Sequence, residues 1–309
     1  MPHMEQFCLA SARDGLALPL ILCLPDQQPR ALVQFSHGMC ENKERYVPFM
    51  QFLTAHGYAC AINDHRGHGA LARERGELGY FGGDGANALV DDLNQISLWL
   101  KERFPGKRLY LFGHSMGSLA ARVYASRFDR ELAGLVVCGS PSQNAAVPVG
   151  KLLARMLGAI KGEKKRSKLL KMLTFGPFYR AFAREGGKCA WICSDKEVVA
   201  AYEADPLCGF TFTCNGFYAL YTLMAQTYDR RAKAQNPSLP ILFISGEEDP
   251  CRYGEKGYAR AVQSMRRRGY TRVESRVYPG MRHEILNEKG RQTVYNDVLS
   301  WLDMQEAQA

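Results

Sequence analysis

Short apolar runs alternate with amphipathic stretches along most of the chain. The apolar runs have the length of single strands, and their unbroken hydrophobic character is typical of strands that are buried on both faces of a sheet. We predict strands at residues 7–10, 16–24, 31–36, 59–62, 109–112, 132–138, 240–245 and 272–278. Apolar positions recur every three or four residues between them, which predicts helices at residues 44–56, 88–103, 116–128, 259–268 and 287–304. This alternation indicates an α/β fold with a mostly parallel sheet and helices on both faces.

The alternation stops between residues 142 and 228, where helical periodicity continues without a clear buried strand. We therefore predict a core of residues 1–141 and 229–309 that carries a helical cap (lid) insertion, residues 142–228. Two apolar stripes follow helical spacing in this insertion. The first comprises Val149, Leu152, Leu153, Met156, Leu157 and Ile160, and the second comprises Phe217, Leu220, Tyr221 and Met224. Such stripes either pack onto the core or line a site for an acyl chain.

Composition is compatible with a large globular protein, and charge adds one candidate surface. The chain has 309 residues, is 46% hydrophobic and carries a net charge of +9. No nucleic-acid-binding motif accompanies this charge, so we do not expect a nucleic-acid partner. Residues 161–171 hold a concentrated basic run, which is either a solvated face or a surface for contact with an anionic membrane.

The ten cysteines lie mostly in apolar segments and form no C-x-x-C pair, as expected for buried free thiols. The N-terminal segment lacks the basic and apolar regions of a signal peptide, and no apolar run has the length of a membrane span. We therefore expect a cytoplasmic protein. Its oligomeric state is left open by the sequence.

Residues 113–117 form a G-x-S-x-G motif with Ser115 at its centre. The motif alone is a weak signal, because glycine accounts for 29 of the 309 residues. Its context is stronger, since it follows a predicted strand and opens a predicted helix, as a nucleophile elbow requires. The alternative interpretation is a serine that only caps the helix. We predict that Ser115 is a catalytic nucleophile.

A serine nucleophile needs a general base and a carboxylate that orients the base. His283 is the one histidine after Ser115, and it follows the last predicted strand. Among the three carboxylates after the strand at residues 240–245 we choose Asp249, with Glu248 as the second candidate. Asp205 also lies between the nucleophile and the histidine, but inside the insertion.

The loop after the third predicted strand supplies a candidate oxyanion hole. Gly38 allows close backbone approach, so we expect the N–H of Met39 to face the substrate oxygen. The N–H of Met116, directly after the nucleophile, is the expected second donor.

Several segments together resemble the monoacylglycerol lipase and lysophospholipase family of α/β-hydrolases, the serine aminopeptidase S33-type hydrolases. They are HGMCENKERY at residues 37–46, DHRGHG at 64–69, GHSMG at 113–117, SGEEDP at 245–250, and the loop of His283. Asn42 stands where the family usually has His, and Ala70 where it has Ser, which bears on substrate preference. The resemblance implies an α/β-hydrolase fold and a carboxylic ester hydrolase that cleaves single-acyl lipids such as monoacylglycerol or lysophospholipid.

We expect no organic cofactor and no metal, because His65 and His68 have no third ligand at suitable spacing. Three alternatives stay open. The same fold supports an aminopeptidase-like serine peptidase, for which Glu203 or Asp205 would bind the free amine. It also supports a small-ester esterase, a perhydrolase or a carbon–carbon hydrolase. A catalytically dead binding protein is disfavoured by the complete set of Ser115, Asp249 and His283.

Overall fold

The computed structural model describes residues 3–185 and 187–308. Residues 1, 2, 186 and 309 of the predicted core and insertion lie outside the described residues. Eight strands form one sheet in the order β1-β2-β4-β3-β5-β6-β7-β8. The strands are β1 His3–Ala10, β2 Ala17–Leu24, β3 Ala31–Ser36, β4 Tyr58–Asn63, β5 Leu109–His114, β6 Gly134–Cys138, β7 Ile241–Gly246 and β8 Val273–Tyr278. β2 pairs antiparallel with β1 and with β4, and the pairs from β4 to β8 are parallel.

The helices cover both faces of this sheet. They are α1 Val47–Ala55, α2 Gly69–Glu74, α3 Gly85–Arg103, α4 Met116–Phe128, α5 Val147–Lys161, α6 Lys168–Ala181, α7 Lys196–Ala204, α8 Cys214–Thr227, α9 Gly254–Arg267 and α10 Arg291–Ala307. One apolar core joins the sheet to α3, α4, α8 and α9, and a second joins the opposite face to α1 and α10. The predicted α/β fold is confirmed, and its arrangement is that of an α/β-hydrolase.

The predicted strands are all present, with shifts at their ends. β1 begins at His3, earlier than predicted, because this edge strand alternates exposed and half-buried positions and so lacks a continuous apolar run. β6 begins at Gly134, later than predicted, because the 3-10 turn Asp129–Glu131 occupies the chain just before it. These shifts leave the carboxyl ends of β5, β7 and β8 where the sequence predicts the functional loops.

The insertion contains α5, α6, α7 and α8. α8 packs against α3 and α4 as well as against α5, and most of its side chains are buried. α5 instead exposes much of its apolar stripe: Val149, Leu152, Met156 and Ile160 are 69%, 59%, 51% and 75% exposed. The insertion's boundaries and its role as a lid stay predictions. In the described ranges 3–185 and 187–308, no helix is long and apolar enough to cross a membrane.

Candidate active site

Ser115 lies between the end of β5 and the first residue of α4 in a strained backbone conformation. Its φ is 52° and its ψ is −118°, a region that residues other than glycine rarely adopt. The flanking glycine is required by close packing, since a Cβ on Gly117 would collide with the backbone of Ser36 on β3. The strand–turn–helix context that the motif predicted is therefore present.

His283 joins Ser115 to Asp249 through one hydrogen bond on each side of its ring. Its Nε2 lies 2.9 Å from Ser115 Oγ, and its Nδ1 lies 3.0 Å from Asp249 Oδ1. A carboxylate that accepts from Nδ1–H fixes the tautomer in which Nε2 can take a proton from the serine. The structure thus brings together the three residues that the sequence nominated.

The environment of Asp249 suits an orienting carboxylate. Its oxygens accept hydrogen bonds from the backbone N–H of Cys251 at 2.9 Å and the hydroxyl of Ser245 at 3.1 Å. Burial by itself raises the pKa of Asp249, but the adjacent His283 and these hydrogen bonds outweigh it and leave the pKa below its ordinary value. Asp249 is therefore ionised at neutral pH.

The two other candidate acids lie elsewhere. Glu248 has a half-exposed side chain and lies 3.5 Å from the guanidinium of Arg282, not from His283. Asp205 accepts from Asn42 Nδ2 at 2.9 Å and from the backbone N–H of Leu207 at 2.8 Å, within a hydrogen-bonded turn of the insertion.

Met39 and Met116 both line the cavity that contains Ser115. Met116 is the first residue of α4, so its N–H has no acceptor within the helix. Gly38 lies close to both the elbow and the loop: a Cβ there would be 3.1 Å from Ser115 Cβ and would collide with the Glu41 carboxylate. The geometry is compatible with the predicted oxyanion hole.

A cavity of about 680 Å³ opens around Ser115 and His283, within the usual size of a small-molecule site. Of the residues in the two predicted stripes, Val149, Leu220, Tyr221 and Met224 line it. Phe217 is fully buried and is absent from the lining; it packs against the ring of Phe212 instead, with 5.9 Å between ring centroids. Phe217 follows the same helical stripe, but its position on α8 points toward the core.

Sequence reasoning missed two contributions to this site. Trp191, in the insertion, lies against the ring of His283, and no periodic pattern in its segment marks it. Glu41 is buried, and one of its oxygens accepts from the backbone N–H of Gly38, from the hydroxyl of Tyr46 and from the ring of His114. In the sequence, Glu41 was marked only as one position of the segment at residues 37–46 that resembles the family.

One group of residues in the described part of the chain has the side-chain spacing of a metal site: Asp249, Cys251 and His283, whose ligand atoms lie within 4.8 Å. Two of these atoms already form the His–Asp pair. Burial raises the pKa of the Cys251 thiol well above its ordinary value. His65 and His68 are occupied by hydrogen bonds to Ser36 and to the N–H of Cys40.

Comparison with known proteins gives a consistent picture. The chain is 29% identical over 288 residues to a monoacylglycerol lipase of Mycolicibacterium smegmatis, with 93% of each chain covered. It is 25% identical over 318 residues to human monoglyceride lipase, across 100% of this chain and 94% of the human one. A thermostable carboxyl esterase from Bacillus coagulans superposes with a TM-score of 0.89 at 26% identity, over 98% of this chain and 99% of the esterase.

The family described as serine aminopeptidase, S33, matches residues 27–290, a range that includes the elbow, the Asp249 loop and His283. Because this match spans most of the chain, the protein belongs to the serine aminopeptidase S33 family of α/β-hydrolases.

Proposed function

We propose that the protein is a carboxylic ester hydrolase that acts on monoacylglycerol-type lipids through an acyl-enzyme on Ser115. The observation that carries this proposal is the hydrogen-bonded chain from Ser115 Oγ through His283 to Asp249. Ser115 and His283 line a cavity with many apolar and aromatic side chains. The names of the relatives, monoacylglycerol lipase and carboxyl esterase, support the same chemistry.

In the proposed reaction, Ser115 Oγ attacks the ester carbonyl carbon while His283 Nε2 takes the hydroxyl proton. Asp249 holds the ring and stabilises its positive charge. The backbone N–H groups of Met39 and Met116 donate to the oxyanion. His283 then gives its proton to the alcohol oxygen as the bond between that oxygen and the acyl carbon breaks. In the second half His283 takes a proton from a water molecule that attacks the acyl carbon, the bond to Ser115 Oγ breaks, and His283 returns the proton to Oγ as the fatty acid leaves.

The insertion supports a substrate with one long acyl chain. The insertion gives the cavity apolar lining from two helices: Leu220, Tyr221 and Met224 of α8, and Phe175 and Phe178 of α6. Each methylene that such a wall buries stabilises the complex by about 0.8 kcal/mol. We infer that the insertion acts as a lid.

The polar part of the cavity bears on the head group. Lys171, Lys188 and Glu203 all line it. The two lysines favour lysophospholipid as a second candidate, since a phosphate would be attracted to them. Glu203 accepts from the backbone N–H of Cys189 at 3.1 Å and is the remaining acidic candidate for an amine substrate.

A surface on the outside of the insertion supports contact with lipid aggregates. α5, with its exposed apolar side chains, contacts α6, where Leu169 and Met172 are 53% and 52% exposed. Lys161, Lys165 and Lys168 are exposed in the same segment. Apolar side chains flanked by cations are typical of surfaces that bind anionic membranes. The ten cysteines, all in the described ranges and all unpaired, support a reducing, cytoplasmic location.

A substrate series tests the proposal. Initial rates would be measured on monoacylglycerols and nitrophenyl esters from acetyl to long acyl chains, beside lysophospholipids and aminoacyl amides. We expect kcat/KM to rise with chain length and to be highest for single-acyl lipids. Fastest turnover of acetyl esters would identify a small-ester esterase, and fastest turnover of aminoacyl amides would identify a peptidase.

A further inference from the structure

Both ring nitrogens of His114, the residue before the nucleophile, face hydrogen-bond acceptors. Nε2 lies 3.3 Å from the main-chain carbonyl oxygen of His283, and Nδ1 lies 3.2 Å from Glu41 Oε1. A carbonyl oxygen has no proton to donate, so Nε2 must carry one. Burial raises the pKa of Glu41, but His114 and Arg45 outweigh it and hold that pKa well below its ordinary value. The carboxylate is therefore ionised, and Nδ1 must carry a proton as well.

The charges around His114 balance only if its ring is a cation. Glu41 Oε2 accepts from Arg45 at 3.1 Å, and Arg45 also binds both carboxylate oxygens of Glu284 at 2.6 Å. Glu41, His114 and Glu284 are all at least 95% buried. With a neutral ring, this buried group would contain two carboxylates and one guanidinium. With an imidazolium, the signs alternate and the group is neutral, as burial of charge requires.

The other titratable groups around the ring do not replace this charge. The rings of His283 and Tyr46 have centroids 4.8 Å and 6.4 Å from that of His114. Burial raises the pKa of Cys138, the residue of β6 that is paired with His114 of β5, so it stays a neutral thiol. Burial also lowers the pKa of His37, which precedes Gly38, so its ring is uncharged.

The position of the ring links the parts of the proposed active site. A Cβ on Gly38 would lie 3.1 Å from both His114 Nδ1 and Ser115 Cβ. The His114 ring is therefore next to the loop that carries Met39. Its other nitrogen binds the main chain of His283. Glu41 Oε1 accepts from the backbone N–H of Gly38 as well as from His114, so the ion pair fixes the backbone that carries Met39. A donor that is held in place before the reaction stabilises a developing oxyanion most strongly in a buried site.

We propose that His114 is a positioning residue that stays protonated through its ion pair with Glu41. The resulting imidazolium holds the Gly38–Met39 loop and the His283 backbone in the positions that oxyanion stabilisation requires. The catalytic part of this proposal rests on the proposed function, whereas the protonation state of His114 does not. Burial lowers the pKa of His114, but the bond to Glu41 and the charge of that carboxylate outweigh it, so the pKa is raised.

The sign of the pH effect follows from this raised pKa. The charged ring is fully present below the ordinary histidine pKa and is lost as pH rises through the raised value. Loss of the charge lowers kcat/KM on the alkaline side of the pH profile. Glu41→Gln removes the partner that raises the pKa, so the alkaline decline moves to lower pH, and kcat/KM at neutral pH falls about tenfold or more.

Nitrogen NMR of protein labelled at histidine reads the protonation state without any substrate. The His114 signals are assigned by their loss in His114→Asn or, if that variant does not fold, by through-bond correlation to the backbone of His114 in the unmodified protein. We expect both ring nitrogens to be protonated at neutral pH, and one to lose its proton in Glu41→Gln. Glu44→Gln, which changes an exposed carboxylate on the same segment, should change neither signal nor pH profile.

A neutral His114 in the unmodified protein would overturn the proposal, and so would a Glu41→Gln variant with an unchanged charged ring and an unchanged alkaline limb. If the protein hydrolysed no ester at all, the proposed function would fail while the NMR result still decided the charge of His114.

Discussion

The indole ring of Trp191 lies against the imidazole ring of His283, with 4.9 Å between the ring centroids and 40° between the planes. The indole is 9% exposed and belongs to the insertion. The Arg282 guanidinium, next to His283, donates to the main-chain carbonyl of Ala190 at 2.7 Å, and the backbone N–H of Glu284 donates to the carbonyl of Ile192 at 2.7 Å. These bonds hold the two segments together beside the rings. The placement of the insertion and the placement of His283 are therefore coupled.

Trp191→Leu tests this coupling. Loss of the indole removes one wall of the pocket that holds the His283 ring, and small errors in the placement of a base lower the rate strongly. We expect kcat to fall about tenfold, with a smaller change in KM. The reason is that moving a reacting group by about 1 Å lowers the rate roughly 100-fold, and loss of the indole should shift the ring by less. Steady-state kinetics on a short nitrophenyl ester measure both constants. Trp99→Leu, at the contact with Phe7 on β1, should change neither, and equal kinetics in the two variants would disprove the coupling.

Asp249→Asn should slow ester hydrolysis far more than Glu248→Gln. An amide at position 249 can donate to Nδ1 and so favours the tautomer whose Nε2 already carries a proton, which lowers kcat by on the order of 10⁴. Glu248→Gln removes only a weak, half-exposed contact with Arg282. Rates on one ester under identical conditions compare the two. A larger loss in the Glu248 variant would make Glu248 the functional acid.

Gly38→Ala should lower kcat/KM by about 100-fold or more while the protein stays folded, an effect of the size seen when one oxyanion donor is lost. The added Cβ would collide with the Glu41 carboxylate and press on His114 and Ser115, which displaces the backbone at Met39. Gly83→Ala is the matched control, because its Cβ would have no neighbour within 4 Å. Circular dichroism and thermal melts check folding. An active Gly38→Ala variant would remove the Met39 N–H from the mechanism.

Leu152→Gln combined with Ile160→Gln should weaken binding to anionic vesicles and leave hydrolysis of a soluble nitrophenyl ester unchanged. Both side chains are already exposed on α5 and neither lines the cavity, so their replacement changes stability by only about 0.5 kcal/mol. Vesicle sedimentation and initial rates measure the two effects. Leu98→Gln, which changes a side chain that is 49% exposed on α3, serves as control. Identical sedimentation of all three proteins would leave the surface without a role in lipid contact.

The sequence was most informative where local geometry determines chemistry. The elbow at Ser115 needs a strand, a tight turn and a helix in direct succession, and each leaves a signal in neighbouring residues. His283 and Asp249 could be nominated because both follow predicted strands whose carboxyl ends meet at one edge of a parallel sheet. In each case a short segment carries the whole pattern.

Contacts between distant segments left no such signal. The ion pair of Glu41 with His114 joins residues 73 positions apart, and each side chain alone reads as an ordinary polar residue. Helical periodicity in the insertion showed which residues share a face of α5, but not which neighbour that face meets. Leu152 and Ile160 were thus consistent with a packed stripe, although both are exposed. Phe217 was assigned to the cavity for the same reason.

The identity of the nucleophile is tested most directly by labelling with a fluorophosphonate probe, which forms a covalent bond with an activated serine. The intact mass and the labelled peptide would be determined for the unmodified protein and for Ser115→Ala. We predict one label per chain, on Ser115, and neither labelling nor ester turnover in the variant, where loss of the nucleophile lowers kcat by about 10⁶. Stoichiometric labelling of Ser115→Ala at another serine, with ester turnover retained, would contradict the proposed mechanism.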